Sequence, residues 1–127
     1  MKQPVPSLSP SEWRIMEVLW AGPKTLMELV RILGESPGWA KSTVTTMVRR
    51  MEEKGLITYD QQGRTKVFHP AVGREEAAAA ETHSLLQRAY HGSVGLLVNA
   101  LAHQESLSRS DIEELYAVLR KAEEEQS

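Results

Sequence analysis

The order of starts and stops between Ser9 and Pro70 restricts the possible folds of this chain more than any other feature. "SPSE" puts Ser9 at a helix N-cap, Pro10 at the first helical position and Glu12 where it closes a capping box. That helix is expected to run to about Ala21, where Gly22 and Pro23 stop it. "TLMELVRILG" repeats the device with Thr25 and Glu28, places Leu26, Leu29, Val30 and Leu33 at i, i+3, i+4, i+7, and ends at Gly34. After a turn holding Ser36, Pro37 and Gly38, the same spacing returns in Val44, Met47, Val48 and Met51, with Gly55 as the stop. "LITYD" and "RTKVFHP" around "QQG" then predict a hairpin with Gly63 in its turn. Three helices and a hairpin in that order predict a winged helix-turn-helix over residues 1–71.

Beyond Pro70 the composition changes. "REEAAAAETHSLLQRAY" favours helix strongly, Gly92 and Gly95 are expected to interrupt it, and Val94, Leu97, Val98 and Leu101 resume a helical stripe. A last helix begins at Ser108, with Asp111 three residues on and Ile112, Leu115, Tyr116 and Leu119 along one side. Within 127 residues these stripes have no partner domain. They fold back on the winged helix or pair with a second copy, and the cost of leaving them in water favours pairing. The fold class is therefore mainly α with a small β-hairpin wing. Residues 72–127 form a helical dimerisation region, with Leu97, Leu101, Ile112, Leu115 and Leu119 expected at the interface of a homodimer.

The net charge of −2 averages two unlike parts. Through Pro70 there are ten Lys and Arg against seven Asp and Glu, or +3, and from Ala71 onward five against ten, or −5. Such asymmetry points to an anionic partner for the first part, unless surface charge is partitioned by chance. Zero cysteines exclude a disulfide framework, a thiolate metal site and a cysteine nucleophile. No apolar run approaches the roughly 20 residues of a membrane helix, and "MKQPVPSLSP" has no signal-peptide core, so no membrane insertion and a cytoplasmic location are expected.

The third helix spends three threonines on its polar side. At 100° per residue, Ser42, Thr46 and Arg49 lie nearly opposite the apolar stripe, flanked by Thr43, Thr45 and Arg50. A threonine-rich face on an isolated helix is ordinarily a solvated one. In a helix-turn-helix with a basic hairpin, the third helix usually lies in a DNA major groove. Ser42, Thr43, Thr45 and Thr46 are then candidates to read base edges. Lys41, Arg49, Arg50, Arg64 and Lys66 are candidates for phosphate contacts, which position a protein without reading sequence.

"LSPSEWRIMEVLW", "WAKSTVTTMVRRMEEKGLI" and "LSRSDIEELYAVL" together resemble the penicillinase-repressor family of bacterial transcriptional repressors, which includes the BlaI, MecI and CopY types, from about Leu8 to Leu119. The resemblance implies a homodimer whose winged helices bind a dyad-symmetric double-stranded operator and whose C-terminal helices hold the dimer. Thr43 and Thr46 match threonines of the family's recognition helix. Thr45 stands where the staphylococcal types often carry arginine, so a different preferred operator is implied. The chain ends "RKAEEEQS" without the cysteine tail of the copper-responsive branch, which excludes copper sensing by that route. The β-lactam-responsive branch implies release by a membrane-bound sensor peptidase that cuts an Asn-Phe bond; the matching bond here joins Ala100 to Leu101.

Other readings stay open beside this one. They are a winged-helix regulator released by a small ligand or metal, and a winged helix used for protein contacts, which the acids Glu52 and Glu53 fit slightly. His69, His83, His91 and His103 are the available imidazoles, but their spacing is a weak metal signal, and no metal or other cofactor is expected. No histidine-acid constellation or phosphate loop accompanies the hydroxyls, so the chain is expected not to be an enzyme.

Overall fold

The computed structural model describes Val5, residues 7–104 and residues 106–127. Its elements are α1 (Pro10–Ala21), β1 (Lys24–Thr25), α2 (Leu26–Glu35), α3 (Lys41–Glu53), β2 (Ile57–Gln62), β3 (Thr65–Pro70), α4 (Arg74–Tyr90), α5 (Val94–Gln104) and α6 (Arg109–Glu125). Three antiparallel strands in the order β1-β3-β2 form the wing's sheet. The fold is a winged helix-turn-helix followed by three helices. Among the described residues no helix is long and apolar enough to cross a membrane.

The starts of α1, α2 and α6 follow from local chemistry. At each, the cap hydroxyl of Ser9, Thr25 or Ser108 accepts from the backbone N–H three residues on, while Glu12, Glu28 or Asp111 accepts from the cap's own N–H. Two orphan N–H groups are thus satisfied reciprocally. Glu12 has a further role, because it is buried and Lys54 Nζ, just past the end of α3, donates to it across 2.8 Å. Burial pushes the Glu12 carboxyl up. The Lys54 hydrogen bond, with the N–H and hydroxyl of Ser9, outweighs that and holds it below the usual carboxylate range.

Four differences from the sequence expectations have simple causes. Strand β1 was not anticipated: two residues carry no periodicity, and its pairing is long-range, Lys24 to Phe68 and Thr25 to Val67. Helix α2 runs one residue past Gly34, ending at Glu35, because glycine without strain or a positive φ need not terminate a helix. In the hairpin, Gln61 and Gln62 belong to β2 and pair with Lys66 and Thr65, leaving a turn of Gly63 and Arg64 with Gly63 at φ 64°. Gly95 lies inside α5, so the break after α4 is made by His91 and Gly92 alone, at φ 50° and 80°.

The chain divides into two compact units, one ending at His83 and one spanning Ser84–Ser127. The division falls within α4, twelve residues beyond the Ala71 boundary that the composition suggests. In the first unit the core is drawn from every element but β1: Ile15, Met16 and Leu19 of α1, Leu29 and Leu33 of α2, Val44, Val48 and Met51 of α3, Ile57 and Phe68 of the wing, and Ala77 of α4. In the second unit no described residue is buried. Its apolar side chains Val94, Leu96, Tyr116, Val118 and Leu119 are all more than half exposed.

Candidate nucleic-acid interface

Helix α3 owes its orientation to Val44, Val48 and Met51, which are buried, and to Met47, which packs on the core's margin. Lys41, Ser42, Thr43, Thr45, Arg49 and Arg50 are consequently exposed. Unlike α1, α2 and α6, α3 begins at Ala40, which has no side-chain cap. The Thr43 N–H donates to Ala40 O, and the N–H groups of Lys41 and Ser42 have no side-chain cap to accept from them.

A groove of about 700 Å³ runs between α3, the start of α2 and the wing. Its floor is Leu26, Val48 and Phe68, and Thr45, Arg49, Arg64 and Lys66 stand on its walls. The wing is braced where it meets this groove. Tyr59 pairs across the strands with Phe68, their rings 6.0 Å apart, and Lys66 Nζ sits 4.2 Å from the centre of the Tyr59 ring. A cation held on an aromatic face has fewer rotamers open to it than a free surface lysine. The Thr45 hydroxyl donates to Lys41 O across 2.9 Å, so it presents its methyl group and an acceptor lone pair outward.

The structure thus sorts the sequence candidates. Thr45, Arg49, Arg64 and Lys66 come together in one concave surface. Lys41, Ser42, Thr43 and Arg50 are exposed on α3 but do not line it, and Thr46 is half-buried rather than fully outward. Sequence reasoning missed Met27, 60% exposed at the start of α2, together with Thr25 and Thr65, all of which line the groove. Glu52, one of the two acids that fit a protein-contact reading slightly, lines the groove as well, on one helical stripe with Thr45 and Arg49 at i, i+4, i+7. The stripe was legible, but which flank of α3 the wing covers was not.

Elsewhere, Ala100 and Leu101 lie inside helix α5, Ala100 half-buried and Leu101 exposed. Leu97 and Leu115 are half-buried, and Ile112 and Leu119 are exposed at 42% and 53%. Among the described residues no group of three or more His, Asp or Glu side chains is placed to hold a metal ion.

The penicillinase repressor family model matches residues 8–121. The chain belongs to this family. Its relatives include the penicillinase repressor of Bacillus licheniformis, 28% identical over 118 residues that cover 92% of each chain. The solution structure of the DNA-binding domain of the repressor BlaI matches 60% of this chain and 93% of that one, at 27% identity and a TM-score of 0.52. That of the monomeric form of Bacillus licheniformis BlaI in complex with the blaP half-operator matches the same shares at a TM-score of 0.51 and 27% identity.

Proposed function

We propose that this member of the penicillinase-repressor family is a DNA-binding transcriptional repressor that engages a dyad-symmetric operator as a homodimer. The observation that carries the reading is the groove, in which Thr45, Arg49, Arg64 and Lys66 converge. The relative bound to a half-operator shares this winged helix. Base edges fall to Ser42, Thr43, Thr45 and Thr46, and phosphates to Lys41, Arg49, Arg50, Arg64 and Lys66. With its donor turned inward, Thr45 suits a thymine methyl or the major-groove amine of adenine or cytosine rather than the O6 and N7 acceptors of guanine.

The dimer is assigned to the second unit, where Leu97, Leu101, Ile112, Leu115 and Leu119 are left incompletely covered. Release is assigned to a membrane-bound peptidase acting near Ala100–Leu101. Because that bond is helical, α5 must open locally before it can be cut. Separating the dimer-holding helices from the winged helix removes the linkage between the two half-sites.

Titration of the purified chain against a duplex selected from a random pool, and against a scrambled duplex of equal composition, tests the core of this reading. The selected duplex should bind about 10³-fold tighter or better. Equal affinities at every salt concentration would overturn it. For release, mass spectrometry of the protein from derepressed cells should show fragments ending near Asn99 to Leu101; intact chains would leave direct ligand binding as the better account.

A further inference from the structure

The alanine-rich start of α4 is bound into the winged helix along one face. Arg74, Ala77 and Glu81 recur at i, i+3, i+7, and all three have partners there. Arg74 grips Glu17 of α1 with both ends of its fork, Nη1 to Oε1 at 2.6 Å and Nη2 to Oε2, and its guanidinium lies 4.8 Å from the centre of the Trp20 ring. Trp20 Nε1 donates to Val72 O across 2.8 Å, which ties down the residues leading into α4. Ala77 is buried in the core, and Glu81 accepts from the Ser7 hydroxyl.

A bidentate pair stacked on an indole fixes direction as well as distance, because the guanidinium plane is held from its edge and its face together. Arg74 and Glu17 are about half exposed, so the pair adds little to overall stability. Its geometric effect is larger, because α4 continues as one helix to Tyr90. A small rotation at its root is multiplied along the 1.5 Å rise of each later residue.

We propose that the Glu17–Arg74–Trp20 latch is a positioning device for operator geometry: it fixes the angle at which α4 leaves the winged helix and so sets which half-site spacing a dimer accepts. The proposal rests on the dimer reading above. Arg74 and Glu17 belong to neither the groove nor the core, so the latch is assigned to act through α4 and not through contact with DNA.

The test uses the full chain and synthetic duplexes carrying one copy, or two inverted copies, of the half-site selected by the wild-type protein, the two copies separated by a series of spacings one base pair apart. Arg74→Ala should leave single-copy affinity within about twofold, lower affinity at the preferred spacing by roughly tenfold, and flatten the preference among spacings, since a looser root accepts more geometries at a cost in effective concentration. Arg74→Lys, which keeps charge but loses the fork, should fall between. The exchange Glu17→Arg with Arg74→Glu should restore the preference only in part, since the pair returns but the guanidinium at position 74 that lies over Trp20 does not. An unchanged spacing profile in Arg74→Ala would overturn the proposal. Equal losses on one-copy and two-copy duplexes would also overturn it, reducing the latch to support of the winged helix. If the wild-type chain is monomeric in sedimentation and gains nothing from a second copy, the dimer reading itself fails.

Discussion

Among the described residues, fourteen apolar side chains between Leu8 and Ala77 are buried, whereas α5 and α6 bury none. Both regions are amphipathic and both use capping boxes, so local chemistry does not distinguish them. What differs is closure: the stripes of α1, α2 and α3 converge with the wing, while Val94, Leu96, Ile112, Tyr116, Val118 and Leu119 are all more than 40% exposed. On the dimer reading proposed above, these uncovered stripes are one half of an interface. The first unit closes its stripes on one core, and the second leaves its own exposed.

Cutting the chain between the two regions should give the largest effect. A chain ending at His83 keeps Val72, Ala77 and the Arg74–Glu17 pair, and is expected to be a folded monomer. Its affinity for a two-half-site operator should fall by about 10²-fold or more through lost linkage. Ending at Pro70 instead removes two core residues, so the shorter chain should be less stable by about 2–4 kcal/mol on burial alone. Sedimentation and denaturant titration separate the three chains; a dimeric 1–83 chain would place the interface in the winged helix.

Single substitutions sharpen the same contrast. Met51→Ala, in the closed core, should cost about 2–5 kcal/mol of unfolding free energy. Ile112→Asp, at a site exposed in one copy, should cost within about 0.5 kcal/mol if water is its real environment. If it is covered in a dimer, association should weaken by about 3 kcal/mol or more over two copies. Concentration-dependent melting distinguishes the cases.

On the groove, Arg64→Ala should weaken selected and scrambled duplexes alike and reduce the salt slope by about one ion per wing. Thr45→Ala should lose about 1–3 kcal/mol of discrimination and leave the slope unchanged. Identical behaviour of the two variants would remove the division between reading and positioning residues.

What could be read in the sequence was local. Ser9, Thr25 and Ser108 announce their helices because cap and acid are three residues apart, and the α3 stripe was visible in its period. The sheet's third strand was not, because Lys24–Thr25 becomes a strand only by meeting Val67 and Phe68 far along the chain. Nor was the docked face of α4, since an alanine run gives no apolar contrast and Arg74 looks like an ordinary surface charge until Glu17 and Trp20 stand beside it. Placing Glu52 in the groove needed the wing's position, which α3 alone does not encode.

The smallest expected effect compares one motif in the two regions. Glu12 and Asp111 both close capping boxes and both carboxyls lie below their ordinary range, Asp111 through the Ser108 N–H and hydroxyl, Glu12 because Lys54 and Ser9 outweigh burial. A carboxyl depressed by folding adds stability that is complete above its unfolded pKa and is lost as pH falls through the folded value. The unfolded values are 4.5 for Glu12 and 3.8 for Asp111, so both contributions are present at pH 7 and fade in acid below those points. Glu12 is buried and bridges α1 to Lys54, whereas Asp111 is exposed and its box is purely local. Glu12→Gln should therefore lower unfolding free energy at pH 7 by about 1 kcal/mol, a value discounted because Lys54 is half in water. Its deficit against the wild type should shrink as the solution is acidified from pH 5 to pH 3. Asp111→Asn should leave the melting of the winged helix unchanged at every pH. If both variants shift that melting equally, the Lys54 bridge contributes nothing beyond the cap, and the two regions do not differ at this motif.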